Sequence, residues 1–394
     1  MTTPGSGRGE RGRAVQPTGP ARPAAPAPTR GSGDARGSLP TVSLVIPTRN
    51  RRASLERTLA ALRDDETLEE VVVVDDGSTD DTFTWLVSQT AEWPALKPVR
   101  TPGRGLQPTR AEGAAHATGE VVLFLDDDTV PARGLAEGHA RHHRENEGIV
   151  VCGYYPSVLP SRPSAAIRLT ARWYEADVAA VEATPARGLY ALWGGNFSMR
   201  RADLVRIPLC APEFGGSKRH ADCDFGLRCQ KAGLDFLLDR KLRADHHYSR
   251  TYLQFRDEAR NSGYGMALVH RLHTDLLGPF PRELLYSRRR LVSALLRLTD
   301  WRPFYRLTAA LLVAIARLCD ATSHLDVVGD FAVCGLVRIE KRRGAREYLV
   351  RAEPRHAAET EVRAGEVPGT TGVGTAARLR VGDLLLNESP TDQP

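Results

Sequence analysis

No apolar run in this chain is long enough to cross a bilayer. The longest, from Leu307 to Ile315, makes about three helical turns, whereas a span needs about 20 residues. No apolar stretch follows Met1, so no secretory signal is expected. The six cysteines, Cys152, Cys210, Cys223, Cys229, Cys319 and Cys334, include no CxxC pair. A disulfide framework belongs to much shorter chains, so these read as reduced cysteines of a cytoplasmic protein. The arginines are scattered in small clusters rather than gathered in one stripe, which argues against a nucleic-acid partner. No internal repeat is present.

What remains is a mildly basic chain of 394 residues with net charge +6 and 41% hydrophobic residues, enough for a substantial core. Residues 1–38 are rich in Gly, Pro, Ala and Arg and are expected to be a disordered basic arm. From Thr41 an alternation of strands and helices begins. Val42 to Ile46 is an apolar strand stopped by Pro47. Leu55, Leu59 and Leu62 give the next stretch one apolar helical face. Val71 to Val74 is a second strand, ending in Asp75-Asp76-Gly77-Ser78. A third is expected over Leu96 to Arg100. This β-α rhythm predicts an α/β nucleotide-binding sheet flanked by helices over 39–250. A mainly helical C-terminal region over 251–350 and a poorly ordered tail over 351–394 are expected to follow.

The central stretch is Val121 to Leu125 followed by Asp126-Asp127-Asp128. Five apolar residues predict a strand buried on both faces, as in a parallel sheet. Three adjacent carboxylates at its end repel one another, and a divalent cation relieves that repulsion. Other segments could join them. Gly103-Arg104-Gly105 lets backbone or Arg104 approach a phosphate. Trp193-Gly194-Gly195-Asn196 can press backbone against a ligand. Asp222 and Asp224 open a helix closed by Gly233. His246 and His247 follow a strand and can offer imidazole to a metal. His139 and His143, four residues apart, read as a solvated helix face.

In their order and spacing, Val45-Ile46-Pro47-Thr48-Arg49-Asn50-Arg51, Val74-Asp75-Asp76-Gly77-Ser78, Arg110 with Gly113, Phe124-Leu125-Asp126-Asp127-Asp128 and Asp222-Cys223-Asp224 resemble the family 2 glycosyltransferases. These are inverting enzymes of GT-A fold, and the resemblance spans about 41–250. It implies a donor site of Pro47, Thr48, Arg49, Asn50, Asp75, Asp76, Arg104, Arg110, Asp126 and Asp127. It implies Mg²⁺ or Mn²⁺ on Asp126 and Asp128, with His246 or His247 as a further ligand, and Asp222 as catalytic base. Trp193, Gly194, Gly195 and Asn196 would form an acceptor-side loop. Ala221 stands where the family has Glu before the base.

Chemistry agrees with that assignment. A departing sugar diphosphate needs its charge neutralised by a hard cation on oxygen ligands and by Arg. A separate carboxylate must take the acceptor proton on the opposite face of the sugar. The expected donor is a UDP-, GDP- or dTDP-sugar, and the acceptor a hydroxyl or amine on a natural product, a lipid-linked or cell-wall glycan, or a protein. A sugar nucleotidyltransferase and a non-catalytic sugar-nucleotide-binding protein are the alternatives. The Arg, Ala and Gly content points to a high-GC bacterium, and a peripheral contact with the inner membrane face stays open.

Overall fold

The computed structural model describes residues 38–214, 219–281, 285–287, 289–322 and 325–363. The arm expected over 1–38 lies outside them except for Ser38, as does 364–394 of the expected tail. In chain order the elements are β1 (Val42–Thr48), α1 (Arg52–Ala60), β2 (Leu68–Asp75), α2 (Thr82–Ser88), β3 (Leu96–Arg100), α3 (Leu106–His116), β4 (Val121–Leu125), β5 (Thr129–Pro131), α4 (Leu135–Glu145) and β6 (Ile149–Tyr154). Then come α5 (Ala165–Ala183), β7 (Asn196–Arg200), α6 (Arg201–Arg206), α7 (Ala221–Lys231), β8 (Asp235–His246), α8 (Tyr252–Leu272), α9 (Thr274–Leu277), α10 (Arg290–Leu298), α11 (Arg302–Asp320) and α12 (Asp326–Arg363).

The strands form one sheet in the order β3-β2-β1-β4-β7-β6-β8-β5. Its first half is parallel, with Val42 opposite Leu68 on one side and Val121 on the other. Strand β7 then runs antiparallel to both β4 and β6. The expectation of a parallel sheet around the Asp strand is therefore half right, since β4 has one parallel and one antiparallel neighbour. Every residue of β4 is fully buried. Alternation along the strands divides two cores. Leu44, Ile46, Leu123 and Leu125 pack with α1 and α4 on one face. Val45, Val122, Phe124 and Phe197 pack on the other, where Phe124 and Phe197 stack with ring centroids 4.7 Å apart.

Beyond the sheet the chain is helical, and α12 runs on to Arg363, past the boundary expected at 350. Helices α8 and α12 approach at backbone distance. A Cβ on Gly263 would overlap the Lys341 carbonyl, and one on Gly344 would overlap the Arg260 carbonyl. Glycine is what permits this approach. On the other flank of α8, a Cβ on Gly265 would overlap the carbonyl of Arg219, at the entry to α7.

Candidate active site

Strands β1, β2 and β4 all end at one edge of the sheet, and their polar turns meet there. At the end of β4 the three carboxylates part. Asp127 points inward, between the Thr48 hydroxyl (2.8 Å) and Arg51 Nη1 (2.7 Å), and burial pushes its carboxyl up to about 6. Asp128 accepts from Arg51 Nη1 at 2.8 Å and faces His246 Nε2 at 3.3 Å. Burial opposes its ionisation, but His246 and Arg51 outweigh that and hold it well below the usual carboxylate range. Asp126 turns the other way, toward Arg110.

Arg110, on α3, is almost wholly buried. Its Nη2 donates to Asp126 Oδ1 (2.6 Å) and its Nη1 to Asp222 Oδ1 (3.0 Å). Burial works against its charge, and the two carboxylates restore it. Asp222 sits in the first turn of α7, where Gln107 Nε2 also donates to Oδ1 at 2.6 Å. The glycine loop closes over this bridge. A Cβ on Gly194 would overlap Arg110 and lie 2.6 Å from Asp222 Oδ2, and one on Gly195 would lie 3.0 Å from Asp126 Oδ2. Carboxylates 96 residues apart thus share one guanidinium beneath one loop.

The residues expected to hold a donor divide by what occupies them. Asp76 accepts from Thr101 Oγ1 (2.7 Å), Arg104 N (2.7 Å) and Gly105 N (2.8 Å). Burial raises its pKa, but these bonds prevail and lower it. Asp75 is fully buried and turned to the Ser78 amide and hydroxyl. Pro47 is buried within β1. Asn50 adopts φ 52° and accepts from Thr79 N at 2.7 Å, so it shapes the turn. Arg49 and Arg104 keep mostly exposed side chains at the rim.

On the acceptor side, Trp193 lies edge-on to Tyr174, with ring centroids 5.5 Å apart. Asn196 corrects the expectation: its side chain is fully buried, donates to the Leu242 carbonyl (2.9 Å) and meets His139 Nε2 (3.1 Å). His139 and His143 correct another, since both are fully buried against Ser198 Oγ of β7 at 2.8 Å. Of the two histidines after the sheet, His246 reaches Asp128. His247 gives its backbone N–H to the Asp128 carbonyl at 2.8 Å. Asp224 is also internal, held by His273 Nε2 (2.8 Å) and Arg228 Nε (2.9 Å).

Sequence reasoning passed over Arg51, Gln107 and Tyr155. Arg51 could have been found as the next charged residue of the turn that supplies Thr48. Nothing in the sequence marks Gln107 or Tyr155. Tyr155 packs at a tilt against Tyr174 and His246, with ring centroids 4.9 and 5.6 Å away. Burial, then Tyr174, Asp126 and Asp222, hold its phenol well above the ordinary value, so it stays a neutral donor.

A divalent cation fits this turn in part. Asp128 and His246 already face each other, and an ionised oxygen ligand with an imidazole suits Mn²⁺ or Mg²⁺. Among the described residues no group of three or more His, Cys, Asp or Glu could hold an ion unaided. The remaining ligands would come from a bound diphosphate and water.

A family model described as Glycosyl transferase family 2 matches residues 43–207. The uncharacterized glycosyltransferase YfnE of Bacillus subtilis is 33% identical over 115 residues, 29% of each chain. A GalNAc(5)-diNAcBac-PP-undecaprenol beta-1,3-glucosyltransferase of Campylobacter jejuni is 30% identical over 93 residues, 23% of this chain and 30% of that one. The chain thus spans about three-tenths of the length of these curated relatives. Among solved structures, the mannosyltransferase PcManGT from Pyrobaculum calidifontis, in complex with GDP-Man and Mn²⁺, is similar over 79% of this chain and 88% of that one. Its TM-score is 0.51 and its identity 19%, a likeness of fold, which is the GT-A type.

Proposed function

We propose, on the match of residues 43–207 to the glycosyl transferase family 2 model, that the chain moves a sugar from a nucleotide-sugar donor to a hydroxyl or amine acceptor, with inversion and with a divalent cation. The observation that carries this reading is the Arg110 bridge, which brings Asp222 to the turn that bears Asp126 and Asp128. One acidic cluster cannot both support a leaving diphosphate and take a proton on the opposite face of the sugar. Two clusters meeting at a single arginine can. The GDP-Man and Mn²⁺ held by the similar mannosyltransferase support the choice of donor and cation.

In this reading Asp128 and His246 would hold Mn²⁺ or Mg²⁺, with Asp126 beside them, and the cation would offset the charge that develops on the leaving diphosphate. Arg49 and Arg104, exposed at the rim, face the nucleotide. Asp76, pinned by three donors from the 101–105 loop, fixes the floor beneath it. Asp222 has both donors on Oδ1, which leaves Oδ2 to accept the acceptor's proton. Arg110 and Gln107 hold that carboxylate in place. Tyr155, which lies against Gly195, and Trp193 would flank the acceptor.

The test separates the two carboxylate roles. Asp222→Asn should keep donor affinity within a few-fold and lose roughly 10²–10⁴ of the transfer rate, the usual contribution of a general base. Asp128→Ala should lose the part of donor affinity that depends on Mn²⁺. Transfer by Asp222→Asn at the parent rate would remove Asp222 from the mechanism.

A further inference from the structure

Helices α10 and α11 carry their larger apolar side chains on the outside. The inward face of α11 is built mainly from small residues, Ala309, Ala316 and Cys319, with Tyr305. Its outward face carries Leu307 (69% exposed), Leu311 and Leu318 (64%). Helix α10 repeats the pattern at one-face spacing. Leu296 is buried, while Leu291 (74% exposed), Leu295 and Leu298 are open. Leu296 of α10 and Tyr305 and Ala309 of α11 share one cluster with Leu336 and Ile339 of α12, and Ala316 joins another with α5 and α8, so the open stripes face away from both. Trp301, between them, is 66% exposed. Isolated exposed leucines are ordinary, but a patch of this extent marks an interaction surface.

The charge on the same two helices selects the partner. Between Leu285 and Asp320 the sequence has seven arginines and two acids, Asp300 and Asp320. Asp300 is held by Arg342 at 2.6 Å and also by Arg346, and Asp320 accepts from the Tyr252 hydroxyl at 2.7 Å and the Ala165 amide at 2.8 Å. Arg290, Arg297, Arg302, Arg306 and Arg317 are exposed beside the leucines. A second copy of the chain would bring arginines against arginines, and such like-charge contact is costly. An anionic lipid surface accepts both features. Leucines enter the acyl boundary, arginines meet lipid phosphates, and tryptophan favours the level between. No described helix is long and apolar enough to cross a membrane, so the helices would lie on the surface.

We propose that the outward face of α10 and α11 is a docking surface for an anionic phospholipid bilayer. This goes beyond glycosyl transfer and does not depend on it. The test uses the full chain with phosphatidylcholine vesicles, with and without phosphatidylglycerol, in the absence of donor and cation. The chain should sediment with the phosphatidylglycerol vesicles, far less with phosphatidylcholine alone, and less as salt is raised. The pair Leu291→Glu and Leu307→Glu, both exposed, should melt as the parent does and lose at least about tenfold in partitioning. Arg297→Ser with Arg306→Ser should lose about fivefold for each arginine removed and flatten the salt dependence. Parent-like binding by the double leucine variant would overturn the proposal. So would equal binding to both vesicle types, or a dimer that the leucine changes split while no vesicle binding is seen.

Discussion

Arg110 gives one nitrogen to Asp126 and another to Asp222, while its Nε is buried without a partner. The guanidinium is held by its two carboxylates and by the loop above it, so the loop is where its position can be disturbed. Gly194→Ala should displace Arg110 or Asp222, because a Cβ there meets both. We expect the transfer rate to fall about 100-fold, the usual cost of misplacing a reacting group by about 1 Å, with donor affinity nearly unchanged. Steady-state kinetics beside a donor titration would show the split, and an undiminished kcat would contradict it. At this scale the sequence was only partly legible. Three adjacent Asp announce an acidic site, but nothing in them shows that Asp127 turns to Thr48 and Arg51, Asp128 to Arg51 and His246, and Asp126 to Arg110. Gln107 carries no signal of its own, because only the fold brings it to the carboxylates.

Helix α4 shows why a face can be misjudged from its letters. His139 and His143 follow the same spacing as Leu135, Ala136 and Ala140, and all five are buried. Polarity suggested solvent, but the Ser198 hydroxyl of β7 bridges His139 Nδ1 and His143 Nε2 instead, and His143 Nδ1 is buried without a partner. Burial, with His143 beside it, pushes His139 down to about 3, and burial with Arg200 pushes His143 down to about 4. An unfolded histidine titrates near 6.5, so below that pH the unfolded chain takes up protons that the native chain refuses. Their full contribution is therefore present above about pH 6.5 and is lost as the pH falls toward 4. The limiting slope is about 1.4 kcal/mol per pH unit for each histidine. Urea unfolding at about pH 7.5 and about pH 5.5 should show this loss, and His143→Asn should remove about half of it. Strands were easier to read. β2 and β4 fall where apolar and β-branched runs place them. β8 continues to His246 through Asp239-Arg240-Lys241, which interrupts its apolar pattern where the strand meets solvent, so the histidines expected to follow a strand begin at its last residue. α5 was missed behind its prolines.

For the whole molecule, composition suggests a boundary near residue 250, but packing ignores it. Phe214 and Leu227 share one cluster with Leu268, Leu277 and Tyr348, and the buried Asp224–His273 pair crosses the same line. A chain ended at Arg250 would leave that carboxylate buried beside Arg228 alone and open the cluster to water. Loss of one partner of a buried pair costs about 3–5 kcal/mol, a large share of the about 5–15 kcal/mol that holds a domain together. We expect the shortened chain to lack a cooperative thermal transition by circular dichroism, and the full chain to melt in one step. Two separate melts in the full chain would show independent units.

The glycines of α8 have a consequence for that shortened chain and for the base alike. Gly263 and Gly344 leave no side-chain cushion between α8 and α12, and Gly265 seats α8 directly on the Arg219 carbonyl, three residues before Asp222. The group that would accept the proton is braced from behind by helices encoded last, while the sheet that would bind the donor is encoded first. Loosening that brace should blur the base's aim and leave the nucleotide pocket intact.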